Sequence, residues 1–459
     1  MTRDNETPWV GVILAAGIGS RMKSAIPKPL HLLCGRTMLG QTMNVLRKAG
    51  VERIVIVSSP AIASDPKFLE LLDDETEVAT QLEPLGTGDA LLAASNAVDK
   101  TSRILVANVD MPLIRPETVR SMLSTHSSSG AAITLLTGKG TVPAGFGRIR
   151  RNPEGQIIEI IEASKTNQST NSLNEFNAGY YCMERSDVWS LLRNLTPADG
   201  GEIYITDLVA AVVDSGATVG ALTANDTSEI LGVNDRVELA SAEALLRDRI
   251  RHEWMLAGVS MTDPLTTYID SDATIGRDTV IQPNTYVLGS TEVGPHTEIG
   301  PDTVIKDGLV GNDSRVISSR VESAIIGPRV TIGPFSHLRP GTVIGQDTHI
   351  GNYVEVKNAV IGEKTKIGHF SYIGDAKIGP CANIGAGTVT CNYDGDAKHQ
   401  TVIGANAFIG SGSMLVAPLS IGDRASTGAG AVVTHDVPAD GRVAGVPARP
   451  MARPNSDGC

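Results

Sequence analysis

Two kinds of hydrophobic pattern divide the chain. In the first half, apolar residues come in short runs such as Val10–Ala16 and Ile104–Ala107, separated by stretches with helical spacing. Such a run, closed by a glycine turn or a polar residue, reads as a strand covered on both faces, and its alternation with helical stretches reads as an α/β domain. From about residue 265 an aliphatic residue followed by glycine recurs with a period of six. Examples are Ile275-Gly276, Val293-Gly294, Ile299-Gly300, Ile344-Gly345, Ile350-Gly351, Ile361-Gly362, Ile367-Gly368, Ile384-Gly385, Ile409-Gly410 and Ile421-Gly422. Many units carry a small or β-branched residue four places after the aliphatic one, as at Thr279, Thr297, Thr303 and Ser336. One unit makes a short strand and a corner, three units close a triangular coil, and strict sixes favour a left-handed parallel β-helix. Glycine is expected to permit the corner.

The repeat is interrupted between Lys306 and Ile325 and again over Thr390–Val402; both segments are expected to be loops leaving the coil, where a solenoid commonly carries function. Between the halves, Arg236–Leu256 has helical spacing and reads as a linking helix. The expected organisation is therefore a Rossmann-like α/β domain over 1–235, a linking segment over 236–264, and a left-handed β-helix over 265–459.

Composition sharpens this division. From Ser271 onward there are 18 Ile and 20 Val against 5 Leu, which favours strand over helix. Acidic residues (51) outnumber basic ones (39), giving a net charge of −12, so a nucleic-acid partner is not expected. No segment approaches 18 uninterrupted apolar residues, so no membrane span is expected. The five cysteines (Cys34, Cys182, Cys381, Cys391, Cys459) are scattered and form no C-x-x-C pair, which argues against a disulfide framework and for a reduced, cytoplasmic protein.

Chemistry concentrates in loops. Gly17-Ile-Gly-Ser-Arg-Met22 follows the first strand without the third glycine of a dinucleotide fingerprint and without a Walker lysine. What remains is a glycine turn offering N–H groups to an anion, with Arg21 and Lys28 nearby. Taken alone, a plain β–α turn explains it better. A second small-residue loop, Leu85-Gly86-Thr87-Gly88, follows Gln81, and the strand Ile104–Asn108 leads to Asp110, well placed to hold Mg²⁺ opposite a triphosphate and equally well placed to open a turn before Met111-Pro112.

The segments LAAGIGSRM, PKPLH, LGTGDA, VDMPLI, GFGRI, FNAGYY and GVNDR resemble, in order, the sugar-1-phosphate nucleotidyltransferases. With a solenoid containing GAGTVTCNYDG, nearly the whole chain resembles the bifunctional family of N-acetylglucosamine-1-phosphate uridyltransferase / glucosamine-1-phosphate acetyltransferases. The resemblance implies that Leu14, Ala15, Ala16, Gly17, Gln81, Gly86, Thr87 and Asn108 meet the nucleotide. Arg21 and Lys28 neutralise the triphosphate, Asp110 and Asn234 hold Mg²⁺, and Gly147, Glu162 and Asn177 bind the N-acetyl sugar. In the solenoid it implies His369 as general base, with Glu355 to orient the ring. Arg339, Lys357, Tyr372, Asn383 and Lys398 would surround glucosamine-1-phosphate, and Ala386, Asn392, Tyr393, Ser411 and Ala429 would line an acetyl-CoA groove. Implied partners are UTP, glucosamine-1-phosphate, N-acetylglucosamine-1-phosphate and acetyl-CoA, in a homotrimer. Five positions depart from the family pattern: Asn108-Val109 stands for Tyr-Gly, Ile18 for Lys, Pro84 for Gln and Gly445 for an Arg near the C-terminus. Another sugar phosphate or nucleotide, such as glucose-1-phosphate with dTTP, and a binding protein with degenerate sites are the alternative readings.

Overall fold

The computed structural model of the chain describes residues 8–98, 103–166, 170, 172–183, 186–197 and 201–451; Cys459 lies outside them. The chain forms two compact units, 1–246 and 247–459. The helix expected over Arg236–Leu256 has those bounds, and the division between units falls inside it rather than at either end.

In the first unit the apolar runs become a mixed sheet. Its strands are β1 (Trp9–Leu14), β2 (Arg53–Ser58), β3 (Thr76–Thr80), β4 (Arg103–Asn108), β5 (Ile133–Lys139), β6 (Arg148–Arg151), β7 (Ile157–Ile161), β8 (Glu175–Met183) and β9 (Val219–Thr223). The order is β9-β5-β8-β4-β1-β2-β3, with the β6–β7 hairpin attached to β8. Strands β4, β1, β2 and β3 are parallel neighbours, and β8 runs antiparallel between β4 and β5. Alternate side chains of β1 enter different cores: Ile13 joins Leu39, Leu46 and Phe68, whereas Val10, Val12 and Leu14 join Leu91, Val209 and Val212. Burial on both faces is why β1 reads as an unbroken apolar run rather than an alternation. Helices α1 (Met38–Lys48), α2 (Thr87–Ala93), α3 (Pro116–Ser129) and α4 (Ile205–Asp214) supply the covering layers.

The second unit is a left-handed parallel β-helix, its strands stacked into three sheets of 12, 10 and 9. The aliphatic residue of each six points inward: Ile344, Ile350, Val356, Ile361, Ile367 and Ile373 are all no more than 1% exposed. The small residue four places on also points inward. Thr279, Thr348 and Thr365 are buried, and each hydroxyl donates to a carbonyl of the next coil (Gly294, Gly362 and Gly379, 3.0–3.2 Å), so the inward polar atom is satisfied.

Two expectations change here. No loop leaves between Lys306 and Ile325. The ladders continue through Leu309–Val310, Arg315–Val316 and Arg320–Glu322, and inward residues Ile305, Val310, Val316, Val321 and Ile326 remain buried at spacings of five or six. Corners shortened by one residue disguise an intact coil. Except at Gly300 and Gly333 (φ 99° each), the glycine after the aliphatic residue is also not the left-handed corner residue. That conformation belongs to residues two places further on, such as Asp278 (φ 60°), Asn284 (φ 57°), Asp347 (φ 59°) and Lys364 (φ 57°). The glycine permits close approach of coils: a Cβ on Gly362 would stand 2.5 Å from the nitrogen of Pro380, and one on Gly345 2.6 Å from that of Glu363. The second interruption does leave the coil, between Val389–Cys391 and Thr401–Ile403, pinned by an antiparallel bridge between Tyr393 and Lys398.

Among the described residues no helix is long and apolar enough to cross a membrane, and Cys34, Cys182, Cys381 and Cys391 are free thiols. The glycine assignment is open to test by denaturation. Gly362→Ala forces backbone apart and is expected to cost about 3 kcal/mol, whereas Lys364→Gly, at a corner that already tolerates positive φ, is expected to change stability by less than about 1 kcal/mol. Equal effects of the two substitutions would show that the coil spacing does not depend on the glycine.

Candidate functional sites

In the first unit two adjoining clefts open beside the carboxyl ends of parallel strands, where open α/β sheets place ligands, the second also lined by antiparallel β8 and the ends of the β6–β7 hairpin. One is lined by Leu14, Ala15, Ala16, Gly17, Lys28, Gln81, Gly86, Thr87, Asn108 and Asp110, together with Ile18, Pro84, Val109, Glu202 and Tyr204. The other is lined by Arg21, Gly147, Glu162, Asn177 and Asn234, with Phe146, Tyr181 and Thr206. They share Thr87, Asn108, Asp110 and Tyr204. The residues assigned to nucleotide and to sugar thus separate into neighbouring clefts, and Asp110 stands at the junction.

Local contacts explain the loops. Gly19 (φ 64°) packs where a Cβ would lie 2.6 Å from Cβ of Lys28, so the glycine turn and the Pro27-Lys28-Pro29 segment fit together. Gln81 Nε2 donates to the Gly86 carbonyl (3.0 Å) and to Asp89 Oδ2 (2.7 Å), which fixes the second loop. Gly86 (φ 103°) approaches the Ile203 carbonyl so closely that a Cβ would be 2.4 Å away.

Charge at the junction is already organised. The Lys28 ammonium donates to Asp110 Oδ2 (2.9 Å) and Asn234 Oδ1 (3.0 Å), and Arg21 Nη2 donates to the same Asn234 oxygen (2.9 Å). The Val233 amide donates to the Asp110 carbonyl (2.8 Å), holding the GVNDR segment against the end of β4. Asp110 Oδ1 and Asn108 Oδ1 are buried without a hydrogen-bond partner. A carboxylate and an amide oxygen, one of the carboxylate atoms unsatisfied, suit Mg²⁺, a hard cation that takes a few protein oxygens and completes its shell with phosphates and water. Among the described residues no group of three or more His, Cys, Asp or Glu is clustered to hold a metal unaided.

In the adjoining cleft, Glu162 Oε1 accepts from Thr206 Oγ1 (2.6 Å). Asn177 donates to the Tyr181 hydroxyl (2.7 Å) and accepts from the Gly179 amide (3.1 Å). Thr206 and Tyr204 were not expected from the sequence. They sit at the start of α4, which contains no recognisable motif and reaches the cleft only through the fold.

In the second unit the candidates divide between a corner and a face. Asn352, His369, Ala386, Ser411 and Ala429 occupy the same place in successive coils: the Phe370, Gly387, Gly412 and Gly430 amides donate to the carbonyls of Asn352, His369, Ala386 and Ser411 (2.7–3.1 Å). The next residue in each coil is left-handed, and its character changes along the column. Phe335, Tyr353 and Phe370 stack (centroids 5.3 and 5.2 Å) on one side of His369, and Gly387, Gly412 and Gly430 follow on the other. A Cβ on any of these glycines meets nothing closer than 3.8 Å, so packing within the chain does not demand glycine there.

The face beside this corner carries Arg339, Lys357 and Tyr372. Lys398, from the excursion, lies against Lys357, whose proximity lowers the Lys398 pKa first by hydrogen bonding and then by charge repulsion. Burial pushes the nearby Asp375 carboxyl up, but hydrogen bonds from Asn358 and Asn392 and the charges of Lys357 and Lys398 bring it below its ordinary value. Two adjacent cations and an arginine make a seat for a phosphate. Asn383 lies on the same sheet as His369, beside Lys366 in the next coil. Asn392 is tied to Asp375 and stands with the lysines rather than in the Ala386–Ser411–Ala429 column, and Tyr393 is exposed on the excursion with its hydroxyl turned to the Gly395 carbonyl. Glu355 does not meet His369: it pairs with Arg339 (2.8 Å), and the group at the imidazole is Asn352, whose side-chain oxygen faces Nδ1.

Comparison with known proteins agrees with this two-part layout. The MobA-like NTP transferase domain matches residues 11–210, the bacterial transferase hexapeptide (six repeats) matches 272–307 and 400–435, and the GMPPB C-terminal domain matches 320–417. "Bifunctional protein GlmU" of Trichlorobacter lovleyi is 42% identical over 94% of both chains. Those of Streptococcus gordonii (40%, over 94% of this chain and 93% of the relative) and Heliobacterium modesticaldum (41%, over 93% of both) are similar over the same extent. With both units matched in order along almost the whole length, the chain belongs to the bifunctional GlmU family of N-acetylglucosamine-1-phosphate uridyltransferase / glucosamine-1-phosphate acetyltransferases.

Proposed function

We propose that the solenoid acetylates glucosamine-1-phosphate with acetyl-CoA and that the α/β unit then couples the product to UTP with Mg²⁺, releasing pyrophosphate, in a cytoplasmic homotrimer. The observation that carries this assignment of residues is the meeting of the two clefts at Asp110, where Lys28 bonds to Asp110 and shares the Asn234 side-chain oxygen with Arg21.

For uridylyl transfer, the nucleotide lies along Leu14–Gly17, Gln81, Gly86, Thr87 and Asn108, and N-acetylglucosamine-1-phosphate lies over Gly147, Glu162 and Asn177. A sugar-phosphate oxygen attacks the α-phosphorus while the bond to the departing pyrophosphate breaks. The nucleophile is already anionic, so positioning and neutralisation suffice and no general base is needed. Asp110 and Asn234 hold Mg²⁺, which when bound withdraws charge from the phosphates. Lys28 and Arg21 neutralise the triphosphate, Lys28 exchanging its contact with Asp110 for phosphate oxygens. Thr206 and Tyr181 hold Glu162 and Asn177 for the sugar.

For acetyl transfer, Arg339, Lys357 and Lys398 seat the acceptor phosphate, and Tyr372 and Asn383 meet its hydroxyls. The amine attacks the thioester carbonyl, His369 removes the ammonium proton as the C–N bond forms, and the coenzyme leaves as a thiolate that recovers a proton. The Ala386, Ser411 and Ala429 column, bordered by Gly387, Gly412 and Gly430, leaves room outside the prism for the acetyl-CoA arm, with Asn392 and Tyr393 beside it.

Separate chemistry in separate units makes the reading testable with purified protein, following each product by mass. Asp110→Ala is expected to abolish uridylyl transfer and spare acetyl transfer, whereas His369→Ala lowers acetyl transfer by roughly 10²–10⁴-fold and spares uridylyl transfer. Loss of both activities in either folded variant would refute the two-site assignment, and turnover of dTTP or glucose-1-phosphate in place of UTP or the amino sugar would redirect it.

The interior of the prism is filled by Ile and Val, so acetyl-CoA must lie outside it, in a groove that a neighbouring prism completes. Mixed trimers refolded from His369→Ala and Tyr393→Ala chains should therefore regain acetyl transfer absent from either parent. A monomer with full acetyltransferase activity would exclude a shared groove.

A further inference from the structure

His369 ends the strand Lys366–His369, and the residue directly across from it in the preceding coil is Asn352, at the end of His349–Asn352. Their side chains meet, Asn352 Oδ1 against His369 Nδ1. Two carboxylates of the neighbouring face are engaged elsewhere: Glu355 is paired with Arg339, and Glu322 accepts from His337 (2.8 Å) and Arg320 (2.7 Å). The imidazole is thus held by a neutral amide.

We infer that Asn352 is the positioning residue of the acetyl-transfer site, fixing both the tautomer and the orientation of the His369 ring. This rests on the reading of His369 as general base. An amide oxygen only accepts, so its partner Nδ1 carries the hydrogen. The neutral ring then presents its lone pair at Nε2, at the far side from Asn352, as a base requires. Adjacent coils stand about 4.8 Å apart, and the left-handed corner that follows each residue turns both side chains the same way, so the contact is set by the repeat.

The choice of an amide has a chemical consequence. A carboxylate in the same place would also hold Nδ1–H, but its charge would stabilise the imidazolium and keep the base protonated to higher pH. A neutral acceptor orients the ring without that effect. Among the charged and titratable groups around it, His349 lies on the preceding strand and Lys366 on the same strand, and Asn383 is the neutral neighbour on the following one. The His349 pKa is lowered by burial first and then by the charges of His369 and Lys366, so His349 does not add a cation beside the base at neutral pH. The amide bond is then the principal directional contact of the ring, with Phe370 beside it at a tilt of 44°.

The test uses the full-length protein, measuring acetyl transfer against pH with glucosamine-1-phosphate and acetyl-CoA, and uridylyl transfer as the check of folding. Asn352→Leu should lower kcat for acetyl transfer by about 10- to 100-fold with little change in KM for the amino sugar. Asn352→Asp should keep most of the activity at high pH, with the acid limb of its profile moved up by about one pH unit. A purely structural role for Asn352 would lower the rate without moving that limb. If Asn352→Leu keeps the wild-type kcat and Asn352→Asp the wild-type profile while His369→Ala is inactive, Asn352 does not position the base. If His369→Ala itself retains acetyl transfer, the assignment of the base fails instead.

Discussion

The close approach of one coil to the next is the constraint on which the second unit depends. Parallel strands in neighbouring coils pair at about 4.8 Å, and that distance is reached because glycine stands where any side chain would press on backbone nitrogen or carbon, as at Gly276, Gly345 and Gly362. Once the spacing is fixed, aliphatic residues stack inside and threonine hydroxyls bridge coils. Residues far apart in sequence then stand side by side on the surface. Asn352, His369, Ala386, Ser411 and Ala429 span more than four coils yet form one column.

The first unit reaches the same end by different means. Many of its candidate groups come from loops after β1, β3 and β4, brought together because parallel strands present their carboxyl ends along one edge, and others from β8, the ends of the β6–β7 hairpin and the start of α4. Here the organising force is electrostatic. Lys28 and Arg21 converge on Asp110 and Asn234, so the charges needed for phosphate chemistry are in place and mutually balanced.

Much of this was legible in the sequence, and the exceptions have physical causes. A period of six survives as text because the same contact repeats in every coil, and apolar runs survive because burial on both faces leaves no polar position. Residues 307–325 were misread as a loop because shortening a corner by one residue destroys the period without disturbing the stack. The glycines were legible by place but not by purpose: a turn and a backbone contact both favour glycine, and only the coordinates separate them. Motif-bound residues such as Lys28, Gln81 and Asp110 fell on the expected clefts. Thr206 was not found because it meets Glu162 across the fold, a relation that leaves no spacing in the chain, and Asn352 because its side chain belongs to no motif. Glu355 was placed beside His369 on sequence, but Arg339 claims it.

The triangular cross-section also gives the solenoid a phase. Each side of the prism turns the chain by a third of a revolution, so inserting or deleting one side between Asn352 and Ala429 would send everything downstream to a different face. A change of this kind between His369 and Ala386 would leave His369 on a face that no longer carries the Ala386–Ser411–Ala429 column. Changes in length that preserve the site must come as whole coils, as single residues absorbed within a corner, or as excursions that leave and re-enter at the same point. The chain contains the last two kinds: the shortened corners after Ile305, and the segment between Cys391 and Thr401, whose departure and return keep Ile378 in register with Ile403. Lineages and engineered variants that add sides to the prism are thereby confined to adding them in threes.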